Sequence, residues 1–165
     1  MGRRIRGKYV GEIPDINHKD LVGVAFRYLK YTQGCSVVFR ERVASTSEQP
    51  DAIGFSGGYS WLIECKASRA DFLADSKKPF RSRPESGMGM YRYYMAPRGL
   101  LSIAEIPSGW GLLEVGEKLR KYREIISGKD AKAFQERNMQ EEISYLVSSI
   151  RRIDISMAVF IEAKD

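Results

Sequence analysis

Between Phe55 and Pro79 the chain changes its pattern from strand to helix, and that change restricts the folds open to it. Tyr59 to Lys66 (YSWLIECK) reads as a strand, entered through Phe55-Ser-Gly-Gly-Tyr59, where Gly57 and Gly58 supply the positive φ of a hairpin turn. Ser68-Arg-Ala-Asp71 is a capping-box pattern, and Phe72 to Asp75 extend a helix that Pro79 should stop. A hairpin that feeds a helix and then more strand requires a sheet with helices packed on it, an α/β class with a mixed (α+β) sheet.

The flanking segments fit that frame. Leu21, Val24, Ala25, Tyr28 and Leu29 repeat at helical spacing from about Asn17, a candidate N-cap, to Thr32, with Gly34 as the left-handed stop. Cys35 to Val43 alternates as a half-buried strand, and a second short strand should follow Pro50. Strands resume at Tyr91–Ala96 and Gly111–Val115. Glu117 to Ile126 fits both periods, with a hairpin partner preferred; Ile143, Leu146, Val147 and Ile150 mark a C-terminal helix, and Ile155 to Ile161 a last strand or tail. Residues 79–90 have no periodicity, two prolines, two glycines and two arginines, and are expected to be a mobile basic loop. At 165 residues the whole chain, 1–165, is expected to be one domain.

One histidine (His18) and two cysteines (Cys35, Cys65) exclude a four-ligand zinc site and any chemistry needing two histidines. Acid–base or metal chemistry has to come from carboxylates and lysine. Both cysteines read as reduced and buried, His18 as a surface residue, and Trp61 and Trp110 as core. No apolar run approaches the ~20 residues of a membrane span, and the Arg3, Arg4, Arg6, Lys8 start leads into no signal-like stretch, so a cytoplasmic protein without membrane contact is expected. The net charge is +6, yet residues 1–8 and 77–98 together carry more than that, so the remainder is acidic. Two concentrated basic segments near Tyr91, Tyr93 and Tyr94 suit a polyanion such as DNA, with Lys77, Lys78, Arg81 and Arg83 as candidate phosphate contacts.

The chemistry centres on Asp51, Glu64 and Lys66. Residues two apart in a strand share a face, so Glu64 and Lys66 project together, away from Ile63 and Cys65. The Gly57-Gly58 hairpin would bring Asp51 beside Glu64 across the ladder. Two adjacent carboxylates repel unless a hard cation lies between them, and Mg²⁺, with Mn²⁺ able to substitute, suits Asp51, Glu64 and the Cys65 carbonyl. Lys66 would orient water or stabilise the oxygens of a phosphodiester under hydrolysis. Asp71 and Asp75 are assigned to capping and helix solvation.

Pro50-Asp51 followed by Glu64-Cys65-Lys66 resembles the PD-(D/E)XK nuclease superfamily, whose restriction-endonuclease-like core runs helix, three strands, helix, strand. Glu64 to Asp75, with Tyr93-Tyr-Met-Ala-Pro97 and Gly109-Trp-Gly-Leu-Leu113, is further similar to MmcB-like small DNA-repair nucleases over about residues 18–116. The resemblance implies a Mg²⁺-dependent DNA nuclease with Asp51 and Glu64 as ligands, Lys66 as the catalytic lysine and an acid from the first helix, Asp20 or Glu12 just upstream, as a further ligand. A junction resolvase, which would act as a homodimer, and a DNA-binding protein that lost turnover are the alternatives.

Overall fold

Leu62 and Ile63 are adjacent in the central strand, both fully buried, and belong to different cores. A strand buried on both faces needs a layer of packing on each side, and that requirement shapes the molecule. The computed structural model describes residues 9–41 and 46–153. Six strands, β1 (Val37–Arg40), β2 (Ala52–Ser56), β3 (Tyr59–Cys65), β4 (Tyr91–Pro97), β5 (Gly111–Leu119) and β6 (Tyr122–Lys129), form one sheet in that order. β1–β2–β3 and β5–β6 are antiparallel, whereas β3–β4 and β4–β5 are parallel. The four helices are α1 (His18–Arg27), α2 (Arg69–Asp75), α3 (Pro79–Ser82) and α4 (Met139–Ile153).

On one face Leu21, Val24, Ala25 and Leu29 of the first helical segment cover Ala52, Ile63, Cys65, Met95, Leu113 and Val115. On the other, Phe72 of α2 and Tyr145 of α4 join Ile53, Leu62, Tyr94 and Leu112. Each fully buried Leu or Ile contributes about 1.5–3 kcal/mol, so the alternation along β3 commits it to two partners at once. α1 begins where its sequence cap lies: the Asn17 side chain accepts from the Asp20 N–H at 2.9 Å. It continues as one π-helical turn, Tyr28–Thr32, and ends at Gly34 with φ +68°. The parallel crossover from β3 to β4 carries α2, whose Ser68 cap accepts from the Asp71 N–H. Among the described residues no helix is long and apolar enough to cross a membrane.

Four expectations need revision. The strand from Cys35 is shorter than its alternation suggested, with β1 ending at Arg40; residues 42–45 lie outside the described residues, as do 154–165, which include the expected last strand or tail. The preferred hairpin partner of Gly111–Val115 is present as β6, but β5 runs on to Leu119 and the chain turns at Arg120 and Lys121 instead of before Glu117. Residues 79–90 are not a loose loop. They hold α3 and a 3-10 turn, and Met88 is fully buried, its N–H donating to Glu48 at 2.6 Å. Arg92, counted in the basic surface, is buried instead: its guanidinium donates to the carbonyls of Gly89, Pro84 and Gly87 at 2.8–2.9 Å and pins this segment to β4. Burial lowers its pKa to about 10.

Candidate active site

The hairpin between β2 and β3 sets the first part of the site. Its register pairs Ala52 with Ile63, which puts Asp51, one residue earlier, level with Glu64. Asp51 is anchored there because its Oδ2 accepts from the Cys65 N–H at 2.7 Å. Lys66 follows the last residue of β3, yet its backbone keeps the sheet geometry, donating to the Met95 carbonyl at 2.8 Å. Glu64 and Lys66 therefore share a face, with Lys66 Nζ 3.2 Å from Glu64 Oε2. Asp51 is thus level with Glu64 in the ladder, and Lys66 meets Glu64, at the C-terminal end of β3.

α2 and α3 supply the rest. Asp75 points inward, fully buried, and its carboxylate gathers Lys66 Nζ at 3.0 Å, Lys78 Nζ at 2.8 Å, Arg81 Nε at 2.6 Å and the Tyr94 hydroxyl at 2.6 Å. Arg81 reaches further, placing Nη1 2.9 Å from Glu48 Oε1 and Nη2 3.3 Å from Glu64 Oε1. Lys78 Nζ also lies 3.3 Å from Glu64 Oε2. Three carboxylates, Glu48, Glu64 and Asp75, thus face three cations, Lys66, Lys78 and Arg81, in a low-dielectric pocket where one unmatched charge would be costly.

The electrostatics divide the carboxylates. Burial works to raise the Asp75 carboxyl, but the hydrogen bond and charge of Arg81, with Lys78 and Tyr94, override it and hold it well below the usual range. Asp51 goes the other way: burial and then the charge of Glu64 raise it, only partly offset by the Cys65 N–H, His18 and Lys66. Burial also raises Glu48. Glu64 Oε1 is buried without a hydrogen bond, since the Arg81 Nη2 at 3.3 Å lies within ion-pair range but outside hydrogen-bonding geometry.

Several predicted roles change here. Asp75 is the hub of the cluster and not a solvated helix acid. Arg81, with a side chain only 4% exposed, is an internal counter-ion and not a surface phosphate contact. Lys78 is half-buried against Glu64 and Asp75, while Lys77 and Arg83 are exposed. Asp20 is turned to Arg123 at 3.9 Å and stands apart from the cluster. α1 contributes His18 instead, whose Nε2 lies 3.3 Å from Asp51 Oδ1. Glu48 and His18 went unrecognised in the sequence; the only local signal for Glu48 is its position three residues before Asp51. Trp110 is buried and stacks on Tyr94 at 4.5 Å, and both cysteines are buried and free, as expected. Trp61 is only partly buried against the α1 core, where it stacks on Tyr91. Among the described residues no three metal-ligating side chains gather in one place.

No family model and no curated protein matches the chain. A solved structure of a protein of unknown function from Silicibacter pomeroyi is similar over 89% of this chain and 99% of its own, with a TM-score of 0.61 at 22% identity. A likeness at that identity shows a shared fold, a mixed open sheet with helices on its faces.

Proposed function

We propose that this chain is a divalent-cation-dependent DNA nuclease built on a restriction-endonuclease-like core. The observation that carries the reading is Asp51 held level with Glu64 across the β2–β3 ladder, with Lys66 on the Glu64 face and Glu64 Oε1 unsatisfied. Asp51 and Glu64, with the Cys65 carbonyl, would hold Mg²⁺ or Mn²⁺; Asp20 does not fit that set, and two carboxylates suffice for an ion that keeps most of its water. When bound, the ion supplies a more acidic water and neutralises charge building on the phosphorus. Lys66, fixed between Glu64 and Asp75, presents an ammonium to the attacking water or a non-bridging phosphate oxygen. Asp75 and Arg81 act by positioning Lys66 and Glu64, and His18 orients Asp51 from the opposite side.

One observation favours a second reading, a DNA-binding protein without turnover: Lys66, Lys78 and Arg81 already match the charges of Glu48, Glu64 and Asp75 with no added ion. Calorimetric titration with Mg²⁺ and Mn²⁺, followed by incubation with labelled single-stranded, duplex and branched DNA, separates the two. The nuclease reading expects metal binding that Asp51→Asn abolishes and cleavage that Lys66→Met reduces on the order of a hundredfold. DNA binding with no cleavage of any form in either metal would leave the second reading.

A further inference from the structure

With Arg81 and Arg92 turned inward, one concentration of exposed cations among the described residues is the tip of the β5–β6 hairpin. Residues 117–124 (EKLRKYRE) carry Lys118, Arg120, Lys121 and Arg123 against Glu117 and Glu124, and Glu124 is drawn aside to Arg98 at 3.8 Å. Lys118 stands directly opposite Arg123 in the ladder, a like-charge pair that Asp20 offsets at 3.9 Å on the Arg123 side alone. Arg120 holds the turn at φ +56°, a conformation that favours glycine, so a cation is kept where it strains the backbone. Leu119 and Tyr122 are 65% and 59% exposed, and Lys121 Nζ lies 5.7 Å from the Tyr122 ring.

Between this hairpin and the helix on the same face runs a groove of about 600 Å³. Arg27, Lys121 and Arg123 line it with Tyr31 and Tyr122, and no carboxylate is among the lining residues. Tyr31 is 71% exposed. Asp20 lies 3.9 Å from Arg123. The groove connects with the site along the first helix, whose first residue, His18, meets Asp51 and whose later residues Val24, Arg27 and the following Tyr28 line the groove. Cys65, Met95 and Leu113 are level across the parallel strands, and β5 continues past that level from Glu114 to Leu119, about 20 Å at ~3.4 Å per residue. The hairpin also docks, through Arg123, on the α1 turn that carries His18 to Asp51.

We infer that this groove binds a single strand of DNA and leads it to the Asp51–Glu64 site. The choice of DNA over another polyanion rests on the nuclease reading; the single strand follows from the groove itself. Cations track a phosphate backbone, and exposed aromatic faces stack on bases that a duplex keeps internal.

The test uses the full chain and a fluorescent mixed-sequence oligonucleotide, single-stranded or annealed to its complement, in EDTA so that binding is read without cleavage. The triple variant Arg27→Ala/Lys121→Ala/Arg123→Ala, checked for folding by thermal melting, should bind the single strand at least tenfold more weakly. Its salt slope should fall by about 2, since each lost single-strand phosphate contact removes ~0.7. Tyr122→Ala should weaken binding roughly tenfold and leave the slope unchanged. Lys77→Ala/Arg83→Ala should have the smaller effect. Unchanged affinity in the triple variant, tighter binding to duplex than to single strand, or no binding by the wild-type chain overturns the inference. Intact single-strand binding without cleavage in Mg²⁺ or Mn²⁺ supports the groove and removes the nuclease reading alone.

Discussion

Asp75 holds the cluster together, because one buried carboxylate takes Lys66, Lys78, Arg81 and Tyr94 at once. Asp75→Asn leaves those cations facing a neutral amide, and the loss of a buried partner should cost about 3–5 kcal/mol in urea unfolding at neutral pH. Its pH dependence has a fixed sign. The folded-state pKa lies below the ordinary 3.8, so the stabilisation is complete above that value and is lost as pH falls through the folded one. Stability of Asp75→Asn should therefore fall less steeply than wild type below pH 3.8. Asp51 runs opposite. Its raised pKa means the folded protein keeps a proton that the unfolded chain releases, so its contribution is present below 3.8 and declines as pH rises through the folded value. Protons compete with a cation over the same window, and any rise in Tm on adding Mg²⁺ should fade as pH falls through it. Asp51, Glu64 and Lys66 were legible in the sequence because they lie on one hairpin and strand alternation relates them. Asp75, Glu48 and His18 were not, since they come from other elements and nothing local distinguishes them from solvated residues.

At the scale of elements, signals that depend on neighbouring residues held: the Asn17 and Ser68 caps, the Gly57-Gly58 turn and the Gly34 stop all act as their residue types require. Ser68→Ala should cost about 1 kcal/mol, read as a lower urea midpoint, because α2 loses the acceptor for the Asp71 N–H. β2 shows a constraint that its sequence concealed. A Cβ on Gly54 would meet Cys35 Sγ at 2.6 Å and Cys35 Cβ at 3.0 Å. Gly54→Ala should therefore destabilise the fold by about 1–3 kcal/mol through overpacking, despite removing a glycine from a strand, and the same denaturation series checks it. The segment 79–90 was misread for a related reason. Its prolines and arginines lack periodicity, but their partners are Glu48, Glu64, Asp75 and backbone carbonyls, which no window along the chain contains.

For the whole molecule, two cores on a sheet buried from both sides place the site at the strand ends, where α2 and α3 close over one face and α1 reaches the other. The net charge of +6 does not describe the surface, because the cations expected to meet a polyanion between 77 and 98 are partly spent inside. The sequence by itself determined the element order from α1 through α2, the β2–β3 register and the pairing of Glu64 with Lys66, because period, turn residues and caps act within a few residues of one another. Only the tertiary structure decided which charges are buried and which remain at the surface. Arg81 and Arg92 resemble exposed arginines in composition, and only the carboxylates and carbonyls brought to them from distant segments offset the cost of taking them out of water.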